Sequence, residues 1–507
     1  MKWPSVEEYL TTKVLQFEDA LLLKDYGTDT SYSYREFDAA TNRLASGFRR
    51  LGTAPGDRIA FLHPNHTDLL LGYFGAIKAG GVAVPVNPAY TPREILHIIS
   101  DSGAKILVTT ERFRSSVETV RKKAASLASV IMKNEGEGLE EAMAADSGPL
   151  NPEAPVERSA DDAAMIFYTS GTTGTPKGVM ISHRNVTFGA GNMALNYGLT
   201  ASDITIVCLP LNHIFANASP FWGALASGGS AVVMERFQTE PVFDAIQRER
   251  VTWFPGVPTM FTFLLSAFDD QPRDVSSLRM GLSGAASLSV EHFKDFEAKF
   301  KAFMLEVYGL TESTGLVTAN PVYGVRKPGS IGMTVSGVAA RLVDEEWRDV
   351  PRGEVGELIF RGPNGTMGYW GLPEETEKKI RDGWISTGDL AYQDHEGYFY
   401  IASRKSELII SGGYNIFPRE IEDVLNSHPD VVEAAVVGVE DPALGEVPKA
   451  FVALAPGKQM EPKDLEAFCL NNLAKYKVPR LFFMMDELPK NTSGKILKKE
   501  LKQWKPC

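Results

Sequence analysis

The densest chemistry in the chain lies in one stretch, Tyr168-Thr-Ser-Gly-Thr-Thr-Gly-Thr-Pro-Lys-Gly-Val179. Gly171 and Gly174 let backbone amides approach an anion, and the hydroxyls of Thr169, Ser170, Thr172 and Thr173 add donors. Lys177 supplies a point charge, so the loop is suited to holding phosphate. The spacing is not that of a Walker A loop. Gly174 precedes Lys177 by three positions, Gly178 stands where Ser or Thr would follow, and strand-like runs flank the loop on both sides.

Other constellations carry weaker local signals. Tyr308-Gly-Leu-Thr-Glu312 places an aromatic ring, a hydroxyl and a carboxylate at the end of an apolar run, although a polar turn would read the same way. Asp389, in Ser386-Thr-Gly-Asp-Leu390, has the look of an Asx-turn. His213 sits on an apolar stretch, where a satisfied core histidine is the ordinary reading. Lys495 lies in a lysine-rich tail, but Thr492-Ser493-Gly494 is a turn signal that sets it apart from Lys498-Lys499. No His, Cys and carboxylate spacing suggests zinc, and no G-x-S-x-G elbow suggests a hydrolase.

The elements that must position these residues alternate in type. Arg58 to Leu62, Gly81 to Val86 and Lys105 to Thr109 read as strands, with a helix from Asp68 to Ala79 between the first two. Residues 136–162 read as a surface excursion rich in Glu, Ala, Pro and Asp. Near residue 400 the texture changes: a helix opens at Pro418, strands run 431–439 and 450–454, a helix spans 462–475, and Leu481 to Met485 is a further strand. This places a boundary at 404–407 and a compact α+β unit of about a hundred residues after it.

Length, charge and cysteine usage narrow the class. The 507 residues suggest more than one folded unit, and three scattered cysteines fit a reducing compartment rather than a disulfide framework. A net charge of −12 gives no footprint for nucleic acid and opposes docking on an anionic membrane. The apolar run Leu69 to Ile77 is far short of the ~20 residues that cross a bilayer. A cytoplasmic protein without stable membrane insertion, acting on small molecules, is the expectation.

Seven segments occur in an order that resembles the adenylate-forming superfamily of acyl-CoA synthetases, peptide-synthetase adenylation domains and luciferases. They are YTSGTTGTPKGV (168–179), LPLNHIFA (209–216), SGAA (283–286), VYGLTE (307–312), STGDL (386–390), SRKSELIISGGYNIFPREIE (403–422) and PKNTSGKILKKEL (489–501). The resemblance implies an α/β fold class: a large multi-subdomain N-terminal α/β domain over 1–403, a hinge at 404–407, and a small mobile C-terminal α+β domain over 408–507. It implies ATP, Mg²⁺ and coenzyme A acting with a carboxylic acid, which forms acyl-AMP and pyrophosphate and then the thioester. A homodimer is compatible with it. Alternatives are a ligase loading a carrier protein, a luciferase-like oxygenase and a non-catalytic nucleotide-binding member. The intact Lys177, Glu312, Asp389, Arg404 and Lys495 argue against the last.

Roles follow by resemblance, position by position. Residues 169–174 and Lys177 hold phosphate. Gly284, Ala285, Ala286, Tyr308 and Gly309 border adenine, Thr311 contacts phosphate, Glu312 holds Mg²⁺, and Asp389 and Arg404 bind ribose or phosphate. Lys495 reaches the carboxylate and α-phosphate during adenylation. Ser406 is the hinge, where many members carry Asp or Lys, and Gly412 and Gly413 swing toward coenzyme A. His213 gates an acyl pocket lined by Trp222, Phe254, Val257, Val307, Gly309 and Gly315, suited to a medium or long aliphatic, aromatic or alicyclic acid. No acid follows Ile214, which disfavours a free amino acid, and Gly309 stands where short-acyl members often carry Trp.

Overall fold

A computed structural model describes residues 3–148, 155–170, 175–268, 273–455, 457–490 and 496–504. Two large sheets dominate the N-terminal domain. One has nine strands in the order 333–334, 318–319, 303–308, 280–283, 253–256, 204–207, 230–233, 21–25 and 31–33. The other has seven, in the order 368–369, 176–182, 163–170, 82–86, 58–62, 106–110 and 129–133. Their central strands run parallel and are buried on both faces, as in Ile59 to Leu62 and Val82 to Val86, because helices cover them. Parallel strands gather their C-terminal ends on one edge, and loops leaving that edge are where α/β sheets place a site.

A third sheet of five strands, built from Ala339–Val343, Gly356–Arg361, Ile380–Arg381, Trp384–Gln393 and Phe399–Arg404, leads into a short 3₁₀ turn, Lys405–Glu407. The next strand, Ile409–Ser411, belongs to a separate five-stranded sheet. The helices Pro418–Asn426 and Pro462–Asn472 contribute Ile421, Leu425, Leu465 and Cys469 to the core of that C-terminal sheet. The second helix stops three residues earlier than the periodicity suggests, because Leu473 turns extended and Lys475–Lys477 forms a 3₁₀ turn.

One sequence expectation is corrected. Within 136–162 the chain forms the helix Leu139–Ser147, with Leu139, Ala142 and Met143 buried at i, i+3 and i+4. Arg43 grips Glu140 with two nitrogens, 2.8 and 3.0 Å from its oxygens, and holds that helix on the body of the domain. Among the described residues no helix is long and apolar enough to cross a membrane.

Candidate active site

The strand Ala163–Ser170 pairs antiparallel with Pro176–Ser182, from Ala163 opposite Ser182 to Ser170 opposite Pro176. The phosphate-type loop joins them. Of its residues, Gly171, Thr172, Thr173 and Gly174 lie outside the described set, as does Lys495. The flanks are braced: the Tyr168 hydroxyl donates to Asp101 at 2.6 Å, and His97 Nε2 lies 3.0 Å from the Pro176 carbonyl oxygen.

The second strand runs straight into the helix His183–Asn196, with Ser182 as its cap. The Ser182 hydroxyl accepts from the Asn185 amide at 3.1 Å, and Asn185 Oδ1 accepts from the Ser182 amide at 2.8 Å. Such a cap is worth about 1 kcal/mol. Here it also orients Asn185, whose side-chain nitrogen donates to the carbonyls of Pro363 and Gly365. That steers Gly368–Tyr369 into antiparallel pairing with Val179 and Met180. Tyr369 thereby reaches the site.

The turn after the strand Phe303–Tyr308 is fixed by one hydroxyl. Ser313 Oγ accepts from the Leu310 amide at 3.0 Å and donates to the Gly315 carbonyl at 2.7 Å. Gly309 cannot be anything larger, since a Cβ there would lie 1.6 Å from the Gly315 oxygen. Thr311 and Glu312 follow on a 3₁₀ turn. The Glu312 carboxylate accepts from the Tyr369 hydroxyl at 2.6 Å; burial first, and then this carboxylate, push the phenol well above its ordinary range.

Asp389 and Arg404 stand opposite each other on paired strands, with Arg404 Nε 3.5 Å from Asp389 Oδ1. The Tyr308 hydroxyl donates to Asp389 Oδ2 at 2.6 Å, so the phenol is held by the acid expected to meet ribose. Lys177 lies 2.7 Å from Oε2 of Glu375, with its ammonium over the Tyr369 ring. Lys177 and Lys378 together draw the Glu375 carboxyl down to about 2.

His213 caps the short helix Ile214–Ala216, its Nδ1 accepting from the Phe215 amide at 3.3 Å. The preceding segment is clamped by Asn65, which bonds the backbone of Leu209 and Leu211, and by Asn217, which donates to the Leu211 carbonyl. A π-helical turn, Asn217–Phe221, follows with Pro220 inside it. Such an insertion re-aims side chains, and here Ala218 and Ser219 face the cavity.

These pieces enclose one cleft of about 870 Å³. Of the residues singled out in the sequence, Thr169, Lys177, His213, Gly284, Ala285, Val307, Gly309, Thr311, Glu312, Gly315, Asp389, Arg404 and Ser406 lie on its wall. Ala285 is held at φ 68°, in the left-handed region that costs a residue with a Cβ about 1–2 kcal/mol. Residues Ile496 to Lys499 line the same cleft, which brings the C-terminal segment to its rim.

Several expected lining residues are elsewhere, and Tyr308, expected to border adenine, is not on the wall but behind it, bonded to Asp389. Trp222, Phe254 and Val257 are not on the wall: they are buried in the apolar cores, Phe254 edge-on against Phe261. Their apolar bulk is used for packing helices on the nine-stranded sheet. Ala286 is exposed and off the wall. Gly412 and Gly413, at φ 56° and 84°, form the exposed two-residue turn of the hairpin Ile409–Ile416, away from the cleft. Sequence reasoning missed Tyr369, Glu375 and Ser219. Tyr369 and Glu375 carry no local motif, and Ser219 was visible only as part of an apolar stretch.

Comparison with known proteins bears on this geometry. The family model for AMP-binding enzymes matches residues 10–370, and that for the AMP-binding enzyme C-terminal domain matches 420–495. A feruloyl-CoA synthase from Amycolatopsis sp is 37% identical over 475 residues, 94% of each chain. A long-chain-fatty-acid–CoA ligase from Bacillus subtilis (strain 168) is 32% identical, covering 98% of this chain and 94% of the relative. ATP-bound MatB from Rhodopseudomonas palustris superimposes with a TM-score of 0.91 at 33% identity over 99% of both chains, whereas apo MatB gives 0.82. The separated motifs converge on one cleft and the two family models together match most of the chain, over 10–370 and 420–495, so the chain belongs to the AMP-binding enzyme family.

Proposed function

We propose that the protein is an AMP-forming carboxylate–CoA ligase acting on a medium or long aliphatic, aromatic or alicyclic acid. The observation that carries this reading is the convergence of Thr169, Lys177, Thr311, Glu312, Asp389 and Arg404, drawn from four distant segments, on one cleft with an apolar end. That end is bounded by Met193, Phe215, Ala218, Val307 and Leu316. An apolar wall without an acid suits a carboxylate whose body is hydrocarbon or ring. The names of the relatives, a feruloyl-CoA synthase and a long-chain-fatty-acid ligase, lie inside that range.

In the first step a carboxylate oxygen bonds to the α-phosphorus of ATP and pyrophosphate departs. Charge gathers on the phosphoryl oxygens, and placed donors lower that barrier. Lys177 would leave Glu375 for phosphate, Thr169 and Thr311 would donate hydroxyls, Asp389 would accept from ribose, and Lys495 would bridge the carboxylate and phosphate. Mg²⁺ fits the residues present: Glu312 offers one carboxylate on the wall, and no group of three or more His, Cys, Asp or Glu suited to a metal occurs among the described residues. An ion held by one carboxylate and by phosphate oxygens is the usual magnesium arrangement, and when bound it would neutralise phosphate charge. In the second step the coenzyme A thiol sulfur bonds to the acyl carbon, the bond to AMP breaks, and the thiol proton is released.

Lys495 is needed first and the thiol second, so the C-terminal domain would rotate between steps about Ser406 in the turn Lys405–Glu407. Residues 496–499 at the cleft rim, and the better match to ATP-bound than to apo MatB, support an adenylation-type orientation here. Free buried Cys208 and Cys469 accord with a reducing, cytoplasmic setting.

The test is an ATP-dependent pyrophosphate-release screen over carboxylates of varied length and ring content, with coenzyme A and with a holo-carrier protein, and products read by mass spectrometry. Acyl-CoA and AMP are the expected products; no pyrophosphate with any acid would defeat the proposal. Lys495→Ala should abolish acyl-AMP formation and spare thioester formation from premade acyl-AMP. Ser406→Pro should trap one orientation, and normal turnover would move the hinge elsewhere.

A further inference from the structure

Glu306 is a buried carboxyl with no part in the chemistry above. It lies two residues before Tyr308 on the strand that delivers the Thr311–Glu312 turn, and it is only 3% exposed. Its Oε1 accepts from the Gly329 amide at 2.7 Å and its Oε2 from the Leu288 amide at 3.3 Å. The same Gly329 uses its carbonyl in the opposite direction, accepting from Arg419 Nη2 at 3.3 Å. Arg419 belongs to the first turn of the helix Pro418–Asn426 in the C-terminal domain.

The backbone of one residue, Gly329, is therefore held between an N-terminal-domain carboxyl and a C-terminal-domain guanidinium. The Gly329 segment is rigid on its other side too. Asn320 donates to the carbonyls of Glu306 and Ser330 and accepts from the Lys327 amide, and the Ser330 hydroxyl donates to the Phe399 carbonyl. The Arg419 side chain is 13% exposed; its Nε lies 3.5 Å from Asp423 Oδ2 one turn along the same helix, and its Nη1 is buried without a hydrogen-bond partner among the described residues. An incompletely satisfied guanidinium orients its partner yet leaves a penalty that favours release.

We propose that Arg419 is a positioning residue: by gripping the Gly329 carbonyl, backed by Glu306, it holds the C-terminal domain in the orientation that brings residues 496–499 to the cleft, and it lets go for the second half-reaction. The inference rests on the proposed two-step ligase reaction. Loss of the grip weakens adenylation alone, because thioester formation uses the other orientation.

Two measurements on the full-length protein test it. Arg419→Ala should slow acyl-AMP formation by about tenfold, the scale of a charged hydrogen bond, with thioester formation from premade acyl-AMP unchanged and Arg419→Lys largely restoring the rate. Equal loss in both halves, or no loss, overturns the proposal. Independently of activity, spin labels on cysteines introduced at exposed Glu345 and Glu466, in a Cys507→Ser background, report domain separation. Arg419→Ala should redistribute that distance while thermal unfolding stays cooperative, and an unchanged distribution defeats the proposal whatever the activity. A distance distribution that shifts on this substitution, in a protein whose wild-type form activates no acid, would instead defeat the ligase reading alone.

Discussion

The ammonium of Lys177 lies 2.7 Å from Oε2 of Glu375, so the cation expected to meet phosphate already holds a carboxylate. With its carboxyl drawn down to about 2 by Lys177 and Lys378, Glu375 is ionised throughout the neutral range and competes with incoming phosphate at every working pH. The pair is solvent-accessible, and water and salt screen such pairs so that each contributes little. Glu375→Gln should accordingly lower the KM for ATP by no more than about fivefold and steepen its salt dependence, because Lys177 then faces the anion unopposed. A raised KM would mean that Glu375 aims Lys177 rather than competes for it.

Tyr369 and Glu312 form the second telling pair, joined at 2.6 Å. A hydrogen bond to a charged group contributes about 1.5–3 kcal/mol, so Tyr369→Phe should slow adenylation roughly tenfold to a hundredfold and raise the Mg²⁺ concentration needed for half-maximal rate. Magnesium titration of pyrophosphate release measures this. An unchanged magnesium requirement would place the ion away from Glu312.

Burial raises the Glu306 carboxyl from an ordinary 4.5 to about 7. The folded chain then holds a proton that the unfolded chain has lost, so this group's stabilisation is complete below pH 4.5 and disappears as pH rises to about 7. The slope is at most ~1.4 kcal/mol per pH unit for one carboxyl. Urea unfolding at pH 5.5 and 7.5 should show the loss in wild type and a smaller one in Glu306→Gln. An identical pH dependence in both would assign it to other raised carboxyls, Asp423 and Glu433 among them.

Trp222 is packed in the core and is off the cleft wall, whereas Met193, also buried, lines the cleft. Truncating a buried tryptophan leaves a cavity, and Trp222→Ala should cost about 3–5 kcal/mol of stability without changing which acids are preferred. Met193→Ala should also cost stability, but it alone should shift the preference toward bulkier acids. Comparing unfolding midpoints with kcat/KM across the carboxylate panel separates the two.

The sequence alone determined the motifs, the α/β alternation, the change of texture after residue 400 and several of the polar residues on the cleft wall. Hydrophobic period, glycine-rich turns and proline helix starts are local signals, readable before any folding. The strand-like runs 163–168 and 179–182 beside the loop, and the strand Leu481–Met485, were legible for that reason, although the strands themselves reach Ser170 and begin at Pro176.

Tertiary structure decided what each residue touches. An apolar side chain in a strand or helix reads alike whether it faces a core or a cavity, so Trp222, Phe254 and Val257 could not be told from Met193 and Ala218 until the packing was known. Tyr369 and Glu375 have no motif of their own, and they meet Glu312 and Lys177 only because an edge strand and its following helix return across 57 and 198 residues of chain. The grip of Arg419 on Gly329 spans 90 residues and two domains. Contacts of that range depend on how sheets stack and where a domain comes to rest, which no local pattern records.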